Sequence, residues 1–221
     1  MFEYLRLKIK EMNSNTLNKQ NEVMRRYYKF QSKIYDATRW SFLFGRKKIL
    51  KMIDIDRPKH ILEIGCGTGH NLRRLQSAFP QTQITGIDVS SDMIAIAKKK
   101  FKDNANITFL EQAYGNEPIY FETAPDVIIF SYTLTMINPQ WSAILKQTQV
   151  DLAPGGKLAI VDFHSSKIPM FRKWMAHNHV RMEGHMDKTL QATFYTRFHQ
   201  VKKAYFGLWN YFYFVGAKPV L

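Results

Sequence analysis

A bare glycine turn follows an apolar run in the segment HILEIGCGTG, at residues 60–69. Between Gly65 and Gly69 every second residue is glycine. An apolar strand that ends in glycines and then opens a helix lets a ligand approach the backbone and meet free N–H groups at the helix N-terminus. The segment therefore predicts a buried strand, a ligand-binding turn and a helix, in that order.

The rest of the chain repeats this alternation of strand and helix. Short apolar runs at 83–89, 107–110, 126–131 and 157–163 alternate with helical patterns at 68–79, 90–101 and 140–152. This rhythm predicts a parallel sheet with right-handed crossovers. Farther along, we expect a helix at 169–182 and a closing antiparallel pair of strands at 201–206 and 208–215.

Two acidic residues stand beside the predicted turn and narrow the choice of ligand. The spacing Gly65-x-Gly67-x-Gly69 differs from the G-x-G-x-x-G of dinucleotide-binding turns. Glu63 precedes the glycines, and a carboxylate suits an α-amino acid that carries a sulfonium better than it suits a pyrophosphate. Asp88 closes the second predicted strand, where an acid can accept hydrogen bonds from both ribose hydroxyls. The other interpretation is an ordinary tight turn beside an unrelated aspartate.

The acid, the three glycines, the second acid and the PGG turn at 154–156 together resemble the class I S-adenosylmethionine-dependent methyltransferases. The resemblance implies S-adenosyl-L-methionine as the cofactor. It also implies an α/β, Rossmann-like fold with a seven-stranded, mostly parallel sheet and helices on both faces. The cofactor-binding residues that it implies are Tyr35, Glu63, Gly65, Cys66, Gly67, Gly69, Asp88, Val89, Met93, Gln112, Ala113 and Ser131.

Charge is segregated along the chain, which has a formal net charge of +14. Residues 1–51 hold 13 basic and 4 acidic side chains, residues 52–162 hold 10 and 12, and residues 163–221 hold 9 and 2. Charge that served solubility alone would not leave a nearly neutral centre between two basic ends. We therefore expect the ends to face something anionic, either nucleic acid or a membrane surface.

A second, more specific resemblance begins before the glycine turn. The segments YYKFQSKIYDATRWSFLFGRKKIL (27–50), FSYTLTMI (130–137) and LAIVDF (158–163) resemble the bacterial diacylglycerylhomoserine N-methyltransferases. This resemblance covers about residues 24–165 and implies successive methylation of the diacylglycerylhomoserine amine, which yields a trimethylated betaine lipid. It also implies a basic, membrane-facing helical lid at 1–53 before a methyltransferase domain at 54–221. Phosphatidylethanolamine N-methyltransferases share a looser form of the pattern, so another amino-lipid remains an alternative acceptor.

The basic N-terminal segment favours a membrane surface. Nine basic residues between Arg25 and Lys51 are interleaved with Trp40, Phe42, Leu43 and Phe44, a composition that can lie in the interface of an anionic leaflet. A solvated helical face is the alternative. No run of roughly 18 apolar residues predicts a spanning helix, and a lone cysteine suits a reducing compartment. We therefore expect a cytoplasmic protein, peripherally bound to the inner face of the cytoplasmic membrane, with a homoserine-lipid synthase as a further candidate partner.

The resemblance also nominates residues for catalysis and acceptor binding. It places Tyr35 and Tyr132 where the family lines the junction of cofactor and acceptor, and they are the predicted catalytic residues. Arg39 or Arg46 can pair with the homoserine carboxylate, although plain surface charge is an equal alternative. Asp162 and His164, near the end of the fifth predicted strand, can accept the amine proton or can be structural.

Three other functions remain to be weighed. An RNA methyltransferase would use the basic ends, but the Asn/Asp-Pro-Pro-aromatic signature of base-amine methylation is missing after the fourth predicted strand, so nucleic acid is the weaker partner. A non-catalytic adaptor would bind the cofactor and membranes without turnover. A metal enzyme is not expected, because His177, His179 and His185 do not have the spacing of a zinc site.

Overall fold

The computed structural model describes residues 42–53, 57–115 and 119–219. The strands are β1 (His60–Ile64), β2 (Gln83–Asp88), β3 (Ile107–Glu111), β4 (Val127–Ser131), β5 (Lys157–Ser165), β6 (Tyr195–Ala204) and β7 (Trp209–Ala217). The α-helices are α1 (Arg46–Lys51), α2 (His70–Ala78), α3 (Ser91–Lys100), α4 (Trp141–Asp151), α5 (Pro169–His177) and α6 (Asp187–Thr193). Short 3-10 turns lie at Leu134–Met136 and Tyr205–Gly207.

The strands of the described part form one seven-stranded sheet in the order β3-β2-β1-β4-β5-β7-β6. Neighbours from β3 to β5 are parallel, whereas β7 is antiparallel to both β5 and β6. The predicted Rossmann-like methyltransferase fold, with a mostly parallel sheet and a closing antiparallel pair, is therefore confirmed.

The sheet changes direction of growth beside β1, and this places the glycine turn. The chain moves outward from β1 to β2 and β3 and then returns to the other side of β1 with β4. Ile64 is paired with Ile87 on one side and with Phe130 on the other, so the three strands end at nearly the same level. Ligands of open α/β sheets bind in the crevice at such a reversal, outside the carboxyl ends of the strands.

Two apolar layers cover the sheet, one on each face. One layer joins β-strand residues to helices α1, α2, α3 and α5 and includes Leu72 and Trp209. The other joins the sheet to α4 and α6 and includes Leu145 and Leu190. Strands β1 and β4 are buried along their whole length, as expected for central parallel strands covered on both faces. The predicted helices on both faces are thus confirmed.

The segment before β1 packs as part of the same unit. Leu43, Ile49 and Ile53 are buried in the apolar layer that contains α2 and β7. Residues 43–53, which we predict as part of the lid, therefore contribute to the core of the domain. Residues 1–41 of the predicted lid lie outside the described residues. They include two of the predicted site residues, Tyr35 and Arg39.

The C-terminal third differs from the prediction in three places. Helix α5 ends at His177 rather than at residue 182, since His179 has a positive φ of 62° that a helix cannot continue through. Val180 and Met182 are nevertheless buried, in an irregular segment where the N–H of Arg181 donates to the carbonyl oxygen of Thr135. Helix α6 was not predicted, and β6 begins at residue 195 rather than 201.

Candidate functional site

The glycine turn is pinned to the neighbouring strand β2. The backbone N–H groups of Gly65 and Cys66 both donate to the carbonyl oxygen of Ile87, at 2.8 and 3.0 Å. Gly65, Gly67 and Gly69 all have a positive φ, of 70°, 55° and 78°. Because L side chains seldom adopt this conformation, glycine lets the chain make the turn without strain.

The three glycines differ in the free space around them, and the difference shows where a ligand can approach the backbone. A Cβ at Gly65 would lie 2.4 Å from Thr133 Oγ1, and a Cβ at Gly69 would lie 2.7 Å from the ring of Phe101. A Cβ at Gly67 would meet nothing within 4 Å. Gly65 and Gly69 therefore allow the turn to pack closely, whereas Gly67 borders open space where a ligand can approach the backbone.

Asp88 braces this turn from the end of β2. Its Oδ2 accepts a hydrogen bond from the N–H of Gly67 at 2.8 Å, and its Oδ1 accepts one from the N–H of Ser90 at 2.9 Å. Burial raises the pKa of Asp88, and the backbone donors counteract part of that rise. Each carboxylate oxygen can accept more than one hydrogen bond, so both remain able to meet ribose hydroxyls.

Glu63 is a buried carboxyl with one oxygen unused. Its Oε1 accepts a hydrogen bond from Asn71 Nδ2 at 2.6 Å, whereas its Oε2 is buried without a partner. Burial raises its pKa to about 7, with the bond from Asn71 and the charge of Arg46 acting in the opposite direction. A buried carboxylate oxygen that lacks a donor is costly. A cationic or N–H group of a ligand would supply that donor.

The other predicted cofactor residues lie around the same crevice. Cys66 and Met93 are buried, and burial raises the pKa of the Cys66 thiol. Gln112, just beyond β3, donates its N–H to the carbonyl oxygen of Asp88 at 3.1 Å. Val89, Ala113 and Ser131 follow β2, follow β3 and end β4, respectively. Contact of these residues with a cofactor stays a prediction.

Arg46 reaches this crevice from α1. Its Nε donates to the hydroxyl of Ser131 at 3.3 Å, and its charge lowers the pKa of the nearby Glu63. The guanidinium thus stands between the end of β4 and the carboxyl beneath the turn. This position suits the predicted pairing with a carboxylate.

Tyr132, one of the two predicted catalytic residues, is anchored at its hydroxyl, and its role at the junction of cofactor and acceptor stays a prediction. Its hydroxyl donates to the carbonyl oxygen of Phe44 at 2.7 Å, and its ring packs on Phe163 at 4.7 Å between centroids. The side chain is buried, and burial raises its pKa well above the ordinary value. A buried phenol that already donates its proton to a carbonyl is not placed to take a proton from an amine.

The contacts of Asp162 favour the structural one of its two predicted roles. It is fully buried, and its oxygens accept hydrogen bonds from the N–H groups of Thr133, Thr135 and Phe163 and from the Thr135 hydroxyl. Burial raises its pKa to about 6, against the effect of these donors. Asp162 therefore holds the loop after β4 in shape, and an incoming amine cannot reach it.

His164 is likewise held by side chains. Its Nε2 lies 3.0 Å from Asp187 Oδ2, and its Nδ1 lies 2.9 Å from Ser165 Oγ. Asp187 also lies 3.5 Å from His199 Nε2. This network joins β5, β6 and the start of α6, so it ties the C-terminal part together. Within the described ranges, no three His, Cys, Asp or Glu side chains are arranged to hold a metal ion.

Several residues that shape the site could not be inferred from the motif. They are Phe44, Asn71, Thr133 and Thr135. Asn71 alone left a sequence signal, because it is a polar residue directly before Leu72 on the buried face of α2.

Comparison with known proteins agrees with this geometry. Residues 61–156, from β1 to the turn before β5, match the family described as a methyltransferase domain. Demethylmenaquinone methyltransferase of Listeria welshimeri is 25% identical over 131 residues, which are 58% of this chain and 55% of that protein. The chain thus spans about half the length of the curated relatives that it matches.

Solved structures share the fold over most of the chain. Haemonchus contortus phosphoethanolamine N-methyltransferase 2, in complex with phosphomonomethylethanolamine and S-adenosylhomocysteine, superposes with a TM-score of 0.72. Its identity is 17%, over 88% of this chain and 60% of that one. The N-methyltransferase NodS of Bradyrhizobium japonicum, in complex with S-adenosyl-L-homocysteine, gives 0.64 at 19% identity, over 79% and 85%.

At these identities the structures establish the fold alone, and the chain has the Rossmann-like methyltransferase fold that the sequence predicts. Residues 61–156, which are similar to the methyltransferase-domain family, make up less than half of the chain. No helix in the described ranges is long and apolar enough to cross a bilayer.

Proposed function

We propose that the chain is an S-adenosylmethionine-dependent N-methyltransferase that successively methylates the amine of diacylglycerylhomoserine to the trimethylated betaine lipid. One observation carries the cofactor half of this proposal. Glu63, two residues before Gly65, has a buried Oε2 without a partner, and the space next to Gly67 is open. A ligand with both a cationic amino group and a sugar fits a carboxylate at that point and a second one, Asp88, at the end of the next strand.

Glu63 and Asp88, which with the open space at Gly67 form the proposed cofactor seat, would each hold one part of the cofactor. Glu63 would accept a hydrogen bond from the amino group, and Asp88 would accept from the ribose hydroxyls while it keeps the N–H of Gly67 in place. S-adenosylmethionine, when bound there, supplies a methyl group on a cationic sulfur. The chain itself must then bring the acceptor nitrogen into line with that methyl group and keep water away.

The acceptor step asks for positioning and for the loss of a proton. The amine nitrogen must first be neutral. Its lone pair then forms an N–C bond to the methyl group while the S–C bond breaks, and the electron pair of the S–C bond stays on sulfur. Aromatic faces stabilise the growing ammonium without taking up a proton. Phe44 and Tyr211 are stacked with centroids 6.0 Å apart next to the site, since the Phe44 carbonyl receives the hydroxyl of Tyr132.

N-methylation has further support from the structural neighbours. Two solved structures with this fold are named as N-methyltransferases, and one holds a phosphorylated methylethanolamine. Those activities belong to the neighbours, and they favour an amine as the acceptor here. They also favour the second candidate function, methylation of phosphatidylethanolamine or another amino-lipid, because ethanolamine is its reacting part.

Arg46 would make the enzyme prefer the homoserine lipid over phosphatidylethanolamine. Homoserine carries a carboxylate next to its amine and ethanolamine does not. A guanidinium that is already fixed by Ser131 can form a paired contact with such a carboxylate. Arg39, outside the described residues, is the other predicted partner of that group. As a lipid enzyme, the chain would work at the inner face of the cytoplasmic membrane, and a homoserine-lipid synthase would supply the substrate.

A turnover assay with separate acceptors tests the proposal. The protein and methyl-labelled S-adenosylmethionine are incubated with vesicles that contain diacylglycerylhomoserine, phosphatidylethanolamine or demethylmenaquinone, and with RNA. We expect mono-, di- and trimethylated homoserine lipid. Label on phosphatidylethanolamine alone would transfer the function to the second candidate, and label on the quinone or RNA alone would refute both. Cofactor binding without label on any acceptor would indicate the non-catalytic adaptor.

Arg46→Lys adds a specificity test to the same assay. Lysine keeps the charge but loses the planar fork, so turnover of the homoserine lipid should fall about tenfold or more. Turnover of phosphatidylethanolamine, if there is any, should not fall with it. Lys47→Gln is the matched control, because Lys47 is the exposed neighbour of Arg46 on α1. An equal effect on both lipids would show that Arg46 does not recognise the carboxylate.

A further inference from the structure

Large apolar side chains are exposed at one end of the molecule, on two different elements. On α5, Met170 is 81% exposed and Trp174 is 50% exposed. At the turn between β6 and β7, Phe206 is fully exposed and Tyr205 is 46% exposed. Phe44, before α1, lies beside them. These five residues are called the aromatic edge patch below. Contiguous apolar exposure of this kind marks an interaction surface more often than single apolar residues do.

Ring contacts make the patch continuous. Met170 and Trp174 are four residues apart and so share one face of α5. The ring of Phe42 lies 6.1 Å from that of Trp174 and 6.4 Å from that of Tyr205, and Phe44 lies 5.4 Å from Tyr205. Helix α5 and the β6–β7 turn are therefore joined into one surface by the segment before α1.

The β6–β7 turn holds its aromatic tip in an uncommon conformation. Tyr205 and Phe206 have positive φ angles of 46° and 58°, a strained conformation that bulky residues rarely adopt. The side chain of Phe206 is fully exposed, so its packing against the described residues does not offset this strain. An apolar surface outside the chain would offset it.

The surroundings of the patch are basic. Exposed cationic side chains on α5, on the later part of β6 and in the loop before α5 are Lys167, Arg172, Lys173, Lys202 and Lys203. The sequence has no Asp or Glu at 163–182 or at 188–221. Apolar side chains that protrude within a basic rim match the interface of an anionic leaflet, where the apolar groups enter the acyl boundary and the cations meet lipid phosphates.

The patch lies at the same edge of the sheet as the glycine turn. Strands β1, β4 and β5 are parallel, and β6 has the same direction because β7 is antiparallel to both β5 and β6. The ends of β5 and β6, which lead into α5 and the aromatic turn, therefore point to the edge where β1 ends. Phe44 links the two regions directly, since its carbonyl accepts the hydroxyl of Tyr132.

From these observations we infer that the aromatic edge patch docks the protein on an anionic membrane, with Met170, Trp174 and Phe206 inserted among the lipids. The docked surface is thus next to the cofactor crevice, and a lipid headgroup can enter the site without leaving the bilayer. Four of the patch's five residues lie on α5 and the β6–β7 turn, and Phe44 is the one that belongs to the predicted membrane-facing segment at 1–53. The inference rests on the proposed function only for the acceptor, because membrane binding itself requires neither cofactor nor turnover.

Sedimentation with vesicles tests the inference without cofactor or acceptor. Vesicles of phosphatidylcholine alone are compared with vesicles that also contain phosphatidylglycerol. We expect wild-type protein to bind the anionic vesicles, and the triple variant Met170→Ser, Trp174→Ser, Phe206→Ser to bind them about tenfold more weakly or worse, through loss of buried apolar area. The double variant Tyr120→Ser, Val150→Ser is the matched control. It removes two exposed apolar residues outside the patch and should bind like wild type.

Two further measurements distinguish membrane docking by the patch from a folding defect and from binding to another partner. The triple variant should keep the wild-type thermal midpoint and affinity for S-adenosylmethionine. Phe206→Trp should show a blue-shifted emission on anionic vesicles and quenching by brominated acyl chains. Unchanged sedimentation of the triple variant, or an unshifted and unquenched Phe206→Trp signal, would overturn the inference. So would a dimer that the triple substitution dissociates, or release from vesicles only when Lys47, Lys48 and Lys51 are neutralised.

Because the assay omits turnover, docking and the proposed methylation can fail independently. A competition experiment with excess RNA tests whether the patch binds nucleic acid instead of lipid. If RNA displaces the wild-type protein from vesicles and binds the triple variant far more weakly than wild type, the patch is a nucleic-acid surface instead. Independence of the patch from RNA, with dependence on anionic lipid, is the expected result.

Discussion

The hydroxyl of Tyr132 donates a hydrogen bond to the carbonyl oxygen of Phe44, 88 residues earlier in the chain. This bond ties the loop after β4 to the segment that carries α1 and Phe44, one residue of the aromatic edge patch. Tyr132 also has a positive φ of 59°, and its N–H donates to the carbonyl oxygen of Val161 at 2.8 Å. The contacts at both ends of the residue hold a backbone conformation that tyrosine rarely adopts.

Tyr132→Phe separates anchoring from catalysis. Removal of the hydroxyl leaves the Phe44 carbonyl without its donor and should lower the free energy of unfolding by about 1 to 2 kcal/mol. Turnover at saturating acceptor should fall only several-fold. Loss of a general base would reduce it on the order of a hundredfold or more. Denaturant unfolding and single-acceptor kinetics measure the two effects, and a hundredfold loss in turnover with unchanged stability would restore the catalytic assignment.

Glu63→Gln tests the carboxylate below the glycine turn through its pH dependence. The pKa of Glu63 is about 7, so the carboxyl loses most of its charge between about pH 8 and pH 6. A cationic amino group should bind the charged form better. The ratio of wild-type to variant affinity for S-adenosylmethionine should therefore fall about tenfold over this range. Titration calorimetry of both proteins cancels the ligand's own ionisation, and a constant ratio would remove Glu63 from the cofactor seat.

The same carboxyl should affect the stability of the free protein. Its pKa in the folded state is raised from 4.5 to about 7 by burial, so folding favours the protonated form. The resulting stability is fully present below about pH 4.5 and is lost as the pH rises through 7. The linked change is on the order of 3 kcal/mol. Glu63→Gln should flatten this part of the stability profile, as measured by urea unfolding across the range.

Alanine at Gly65 should mainly reduce stability, whereas alanine at Gly67 should mainly reduce cofactor affinity. Gly65→Ala places a methyl group 2.4 Å from Thr133 Oγ1 at a positive φ, so it should lower the free energy of unfolding by about 2 kcal/mol or more. Gly67→Ala carries only the backbone cost of about 1 kcal/mol, because its methyl group enters open space. That space is the proposed cofactor seat, so cofactor affinity should fall at least tenfold. Unchanged affinity of Gly67→Ala would place the cofactor elsewhere.

Asp88→Ala should affect both the turn and the cofactor. It removes the acceptor for the N–H groups of Gly67 and Ser90, which should lower the free energy of unfolding by about 2 kcal/mol. The lost ribose contacts should weaken S-adenosylmethionine at least tenfold. Asp92→Ala, at an exposed position on α3, is the control and should match wild type in both. Loss of stability with intact affinity would leave Asp88 only a structural role.

The central sheet could be predicted because its sequence signals are strong. Strands β1 and β4 are buried on both faces and appear as mainly apolar runs. The glycine turn directly follows β1, and the PGG turn directly precedes β5. The edge strand β6 gave a weak signal, since most of its residues are exposed and it has one partner strand. Helix α6 is short and buries only Leu190, which leaves almost no periodicity.

The motif predicted which residues surround the crevice but not how they are partnered. Asp162 and Tyr132 were natural candidates for chemistry, because a carboxyl and a phenol near strand ends are typical of active sites. Their actual partners, Thr135 and Phe44, come from distant parts of the chain. Such long-range contacts depend on the packed fold and leave no local pattern.

The most direct test of the account is the position of the transferred methyl group. Diacylglycerylhomoserine offers both an amine and a carboxylate, so carbon-labelled methyl donor, wild-type protein and mixed vesicles are incubated and the headgroup is analysed by NMR. The account predicts label on nitrogen, accumulating to the trimethylated lipid. Label on the carboxylate oxygen, or an unlabelled headgroup with active cofactor binding, would contradict it.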